Sequence, residues 1–133
     1  MPLVPVPPEV DAFLAAANPA VVGTVSSSGK AHTAATWYDW EDGRALLNMD
    51  ESRLRLRHLR ANPSVALTVL GGGDWYRQVT LLGRVVSLED DPELADIDRL
   101  SIRYTNRPFA DRAARRVSAW MEPERWTAWP LPR

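Results

Sequence analysis

The chain has 133 residues, enough for one hydrophobic core and too few for two. Its 16 basic and 17 acidic residues nearly cancel, and the pI near 6.1 gives none of the basic footprint that nucleic-acid binding requires. The complete lack of cysteine excludes disulfides, thiolate catalysis and iron–sulfur ligation.

Met1-Pro2-Leu3-Val4-Pro5-Val6-Pro7-Pro8 holds neither the basic region nor the apolar segment of a secretory signal. The longest apolar runs, Val65 to Leu70 and Val79 to Leu82, fall far short of the ~20 residues that span a bilayer. A cytoplasmic protein without membrane contact is expected, with residues 1–7 as a proline-rich arm on a single domain over 1–133. Pro8-Glu9 starts a helix whose apolar positions Val10, Phe13, Leu14 and Ala17 recur at helical spacing, and Asn18-Pro19 ends it. Ala20 to Val25 reads as a strand, and Ser26 to Lys30 as a turn with Gly29 where positive φ is needed. Ala31 to Trp40 alternates as a second strand, and the Asp42-Gly43 hairpin returns the chain as Ala45 to Met49, which makes a three-stranded meander.

The next helix, opened by Ser52, reads Arg53-Leu54-Arg55-Leu56-Arg57-His58-Leu59-Arg60 and stops at Asn62-Pro63. At 3.6 residues per turn Arg53, Arg57 and Arg60 share one face, the usual place for solvated charge paired with Asp50, Glu51 or loop acids. Arg55 lies on roughly the opposite side, next to Leu59 and within reach of His58, on the flank that turns toward the protein. A lone guanidinium there costs several kcal/mol unless an anion meets it. The free N–H groups of the Ser52-capped helix start would add to such a site.

Ser64 to Leu70 is apolar enough for a strand covered on both sides. Gly71-Gly72-Gly73-Asp74 is a connection, and Trp75 to Leu88 is a long strand bent at Gly83, where a sheet curls into a barrel. Asp91-Pro92 opens a helix bearing Leu94, Ile97, Leu100, Ile102 and Tyr104. Pro108 to Arg115 follows as a short helix or turn, and Arg116 to Met121 and Arg125 to Pro130 as two last strands around Glu122-Pro123-Glu124. The total is six or seven strands with three or four short helices, a mainly β, α+β protein.

Hydrolytic chemistry is unsupported, since there is no Gly-x-Ser-x-Gly elbow and no cysteine. Metal binding is too, because His32 and His58 stand on different elements and Glu89-Asp90-Asp91 reads as solvated turn acids. The anion site at Arg55 is the stronger signal. Thr36, Trp37, Asn48 and Met49, on strands leading to the helix, offer flat apolar surface with a few polar groups, as a heteroaromatic ring needs. Gln78 could add a bidentate amide to the phosphate or ring edge. Six tryptophans are an excess for this length; Trp75, Tyr76, Trp126 and Trp129 would wall a substrate cleft or pack at an interface.

The succession Ala20-Val21-Val22-Gly23-Thr24-Val25, Ser28-Gly29-Lys30-Ala31-His32, Thr36-Trp37-Tyr38, Asp42-Gly43, the arginine helix with Asn62-Pro63-Ser64-Val65-Ala66-Leu67, and Arg77-Gln78-Val79 with Gly83-Arg84-Val85 resembles the pyridoxamine 5′-phosphate oxidase-like superfamily. Within it the chain resembles the branch of deazaflavin (coenzyme F420)-dependent reductases. The likeness implies a split β-barrel of the FMN-binding type, and a homodimer with two cofactor sites built from both protomers. It also implies hydride transfer from reduced deazaflavin to a planar conjugated small molecule, biliverdin-like or enone- or quinone-like. On the matching positions, Arg55 takes the phosphate-binding place, where lysine is commoner, Arg53 a neighbouring phosphate contact, and Gln78 a polar cofactor contact. His32, Thr36, Trp37, Asn48 and Met49 would line the ring, with Ser52 and His58 beside the phosphate. The vitamin B6 oxidases end in a substrate-binding arginine segment that Trp126 to Arg133 does not reproduce, which speaks against pyridoxamine phosphate as substrate. The alternatives are an FMN-binding oxidase or reductase of the same fold, and a non-catalytic cofactor- or tetrapyrrole-binding protein.

Overall fold

A computed structural model describes residues 5–130, so residues 1–4 of the expected arm lie outside the described residues and Pro5 to Pro7 have no regular structure. Helix α1 (Pro8–Ala15) places proline at N1, where no N–H is needed, and Glu9 and Asp11 in the first turn, where they meet the positive helix end. It buries Val10, Phe13 and Leu14. Ala17 falls beyond the helix and is exposed, because the backbone turns extended at Ala16.

Strands β1 (Ala20–Val25), β2 (Ala31–Thr36), β3 (Asp39–Glu41), β4 (Arg44–Asp50), β5 (Ser64–Leu70), β6 (Gln78–Asp90) and β7 (Arg116–Trp129) form one antiparallel sheet in the order β2-β1-β5-β6-β7-β4-β3. Its two edge strands, β2 and β3, are consecutive in the chain, and only Trp37 and Tyr38 separate them. The sheet must therefore roll round until its edges come together at those two residues, a barrel split along one seam. The expected meander is corrected by this: β1 pairs with β2 and β3 with β4, but the continuous strand read from Ala31 to Trp40 leaves one edge at Thr36 and rejoins the opposite edge at Asp39.

Gly83 bends β6 as expected, at a register shift between Leu82 and Gly83. A Cβ there would lie 2.0 Å from the Glu122 carbonyl oxygen and 2.8 Å from Pro123 Cα, so only glycine admits this approach of β7. The same shift explains why Glu122-Pro123-Glu124 does not break the last strand in two: Pro123 sits opposite Gly83 in the irregular stretch, where a ladder donor can be spared. Asp42 (φ 52°) and Gly43 (φ 76°) turn the β3–β4 hairpin, both in the left-handed region that two-residue hairpins use.

Val22, Leu47, Met49, Leu67, Val69, Leu81, Val117 and Met121 fill the barrel, with α2 (Leu54–Ala61) adding Leu56 and Leu59. The strand β5, expected to be covered on both sides, buries Val65, Leu67 and Val69 but leaves Ala66, Thr68 and Leu70 half covered within one chain. The reverse holds for β4, buried on both faces from Ala45 to Met49. Ala45, Leu47 and Met49 point into the barrel, while Leu46 packs outside it in a second cluster with Leu94, Ile97 and Leu100. Helix α3 (Ala95–Thr105) starts later than Asp91-Pro92 suggests, because Leu94 turns left-handed at φ 60°. Asp91 still caps it: its carboxylate accepts from the backbone N–H groups of Asp96 (3.2 Å) and Ile97 (2.9 Å). Pro108 to Arg115 holds no helix.

The seam is locked by Arg103 of α3. Its guanidinium donates to the carbonyls of Tyr38 (2.9 Å), Ala15 (2.8 Å) and Ala16 (2.7 Å) and pairs with Asp39 at 3.2 Å. The buried Tyr38 hydroxyl also shares its proton between Leu14 and Ala16 carbonyls, and burial raises its pKa, so it holds that proton firmly. These bonds fix the end of α1, the Trp37-Tyr38 crossing and α3 against one another.

Candidate cofactor site

Between that seam and α2 lies a cavity of about 460 Å³, within the range of small-molecule sites. Ala17, Pro19, Ala20 and Ala35 give it small, apolar walls near the end of α1 and the mouths of β1 and β2. Thr36 and Trp37 enter from the seam, Asn48 from β4, Arg55 from α2, Ile97, Leu100 and Tyr104 from α3, and Arg116 from the start of β7. Trp37 stacks on Tyr104 with ring centroids 5.6 Å apart and planes 9° from parallel, and Phe109 braces it edge-on at 6.0 Å. The outcome is a flat aromatic wall.

Arg55 is the electrostatic centre. Its Nε is buried with no hydrogen-bond partner among the described residues, an arrangement that costs a folded chain about 1–3 kcal/mol or more for a charged donor. Burial holds its pKa below the usual arginine value, and the charges of Arg53 and Arg116 act in the same direction against Asp50. It nevertheless remains a cation at neutral pH. Arg116, which the sequence alone did not single out, is likewise pulled down by burial. Its Nε donates to Asn48 Oδ1 at 2.7 Å, and its guanidinium lies 4.7 Å from the Phe109 ring centroid.

Of the ten residues singled out from sequence, Thr36, Trp37, Asn48 and Arg55 meet in this cavity. The Thr36 hydroxyl donates to the Trp37 carbonyl at 2.9 Å, leaving it an acceptor toward the cavity. Asn48 is buried with its amide committed, its nitrogen donating to Asp91 (3.2 Å) and Ser118 (3.1 Å) and its oxygen accepting from Arg116. It therefore orients an arginine. Met49, next along β4, points the other way into the barrel core. Ser52 does not cap α2. The N-cap is Arg53, without a side-chain cap bond, and the Ser52 hydroxyl donates to Asp50 instead. Arg53 is exposed and paired with Asp50 at 3.0 Å. His58 is buried against β1, its Nδ1 2.9 Å from the Thr24 hydroxyl, and His32 meets it edge-on at 5.8 Å. His32 borders a second concavity beside Thr24, Ser64 and Gly83, and Gln78 a third with Thr80, Trp126 and Trp129.

An anion-headed planar molecule fits the first cavity: the unpartnered guanidinium supplies the counter-charge, the alanine walls allow close approach, and Trp37 with Tyr104 supplies a flat face. The pyridoxamine 5′-phosphate oxidase sequence profile matches residues 6–130. The chain belongs to that family. Among solved structures, an F420 reductase superposes on this family member with a TM-score of 0.81 at 27% identity, over 92% of this chain and 98% of the other. A conserved hypothetical protein from Mycobacterium tuberculosis gives 0.72 at 22% identity over 99% and 92%, and General Stress Protein 26 from Bacillus anthracis gives 0.66 at 19% over 90% and 90%. The last two share the fold. No curated protein matches the chain. Among the described residues no helix is long and apolar enough to cross a membrane.

Proposed function

We propose that the protein is an F420-dependent reductase acting on a planar conjugated small molecule, biliverdin-like or enone- or quinone-like. The observation that carries the cofactor site is the buried, unpartnered Nε of Arg55 in a cavity with a flat aromatic wall. The preference for the deazaflavin is supported by the 27% likeness to an F420 reductase over nearly the full length of both chains. Bound reduced F420 would supply a hydride from C5. Arg55 holds the phosphate, the Trp37–Tyr104 pair orients the ring, and Ile97 and Leu100 keep water from it. Among the described residues no carboxylic acid or imidazole lines the cavity. The Tyr104 hydroxyl donates to the Asn18 carbonyl at 2.6 Å and burial raises its pKa, so it is a poor acid. The proton that completes reduction of the substrate therefore comes from solvent or from the substrate itself.

The reading takes the protein as a cytoplasmic homodimer in which Gln78 serves the cavity of the second copy. The position of Gln78 outside its own chain's arginine cavity supports this, as do the half-covered face of β5 and the exposed Trp75 and Tyr76. An FMN-binding oxidase or reductase is the second reading, favoured by the family match itself. Titrating the protein side by side with F420 and FMN separates the two. The deazaflavin should bind at least about tenfold tighter (1.4 kcal/mol), and reduced F420 should be oxidised on addition of biliverdin or a quinone; FMN binding more tightly by a similar margin overturns the deazaflavin reading.

A further inference from the structure

Arg116 has no assigned part in the cofactor site, yet it is built into the same cavity as Arg55. Strand β7 carries it there by pairing with β4, which sets Arg116 opposite Asp50. Its Nε is aimed by Asn48 Oδ1 at 2.7 Å and its flat face rests on Phe109. Neither it nor Arg55 takes part in an ion pair among the described residues. The nearby acids are already in use. Asp50 holds Arg53 and both the amide and hydroxyl of Ser52. Asp91 holds two α3 amides and Asn48. Asp96 accepts from Ser118 and Asp111 from the amides of Ala113 and Ala114. Two half-buried cations thus face one cavity with no direct ion pair among the described residues: Asp50 attracts both, and Asp91 and Asp111 attract Arg116, only through space, so a ligand oxyanion would be their first direct counter-charge.

We propose that Arg55 and Arg116 form one anion clamp, and that Arg116, aimed by Asn48, makes the site select ligands carrying a phosphoryl group over the same ring without one. The inference rests on reading this cavity as the cofactor site. A planar fork suits it, because one edge can stay on Asn48 while the terminal nitrogens reach an oxyanion. Arg116→Lys keeps the charge and loses the fork.

Dissociation constants for wild type, Arg116→Ala and Arg116→Lys would be measured with four ligands: FMN, riboflavin, F420 and its phosphate-free riboside. Removing one charge-assisted contact should weaken FMN and F420 by at least about tenfold in Arg116→Ala. Riboflavin and the riboside should change by less than about threefold, and the lysine variant should fall between. Equal losses with and without the phosphoryl group would make Arg116 a support for the wall and overturn the clamp, as would no loss at all. The order of F420 against FMN in wild type reads the proposed function separately. Should wild type bind none of the four, thermal shift with pyrophosphate tests the clamp directly. Stabilisation absent from the Arg116→Ala and Arg55→Ala variants keeps the clamp and removes only the cofactor reading, and no stabilisation of wild type overturns the clamp.

Discussion

Replacing Arg55 with methionine should make the ligand-free protein more stable and its ligand complex weaker. Methionine follows the arginine stem with similar bulk but brings no charge and no donor, so it removes the buried Nε that has no partner. An unsatisfied buried donor costs roughly 1–3 kcal/mol, and relief of the repulsion from Arg53 and Arg116 adds to the gain. Arg55 is half-buried and not fully enclosed, which trims the net benefit to about 1–2 kcal/mol. With an unfolding entropy near 2 cal/mol/K per residue, this raises Tm by about 4–7 °C for a chain of 133 residues. Ligand inverts the order. At a hundred times its Kd, cofactor stabilises wild type by about 2.7 kcal/mol, and a variant with a Kd at least tenfold weaker gains about 1.4 kcal/mol or less. Calorimetric melts with and without cofactor read both effects in one experiment. A methionine variant that melts below wild type without ligand, or that keeps the full ligand-induced shift, would refute the idea that Arg55 is an uncompensated cation held for an anion.

Two further outcomes concern the frame around the site. Gly83→Ala should lower stability by about 3 kcal/mol, because the new Cβ meets backbone at 2.0 Å and 2.8 Å and not a side chain that could swing away; urea unfolding with an unchanged slope and a loss under about 1 kcal/mol would mean that the β6–β7 bulge can relax. Asp98 accepts from Arg112 at 2.6 Å and from the Phe109 amide at 2.9 Å, and these bonds hold its carboxyl below the usual carboxylate range. A folded pKa depressed in this way stabilises above the unfolded value of about 3.9 and is lost as pH falls through the folded one. Asp98→Asn should therefore melt below wild type at neutral pH, with the gap closing on acidification below pH about 4; a gap that persists in acid would point to packing instead.

The elements that sequence located well are those whose identity is local. Alternation and apolar runs placed β1 and β5 at their observed bounds, and Gly83 announced its bulge. The Trp37-Tyr38 crossing was hidden for a physical reason: alternation from His32 to Trp40 records which way side chains face, and that pattern persists while the chain passes from one sheet edge to the other. Ser52 looked like a helix cap by residue type, yet Asp50, two residues back, takes its hydroxyl. Composition could not show that competition.

The site divides along the same line. Arg55 could be picked out because its helical angle sets it apart from Arg53, Arg57 and Arg60, a property of one short segment. Arg116 could not, since in sequence it is one of two adjacent arginines, and only the pairing of β7 with β4 sets it opposite Asp50 and beside Asn48. Near-neutral composition also concealed the field of the cavity. With 16 basic and 17 acidic residues the chain has acid enough for every arginine, but Asp50, Asp91, Asp96 and Asp111 spend their oxygens on amides, hydroxyls or Arg53. On the proposed reading the cavity takes an anion because of that local commitment of the acids around two arginines, which follows from which groups the fold has already paired more than from how many charges the chain carries.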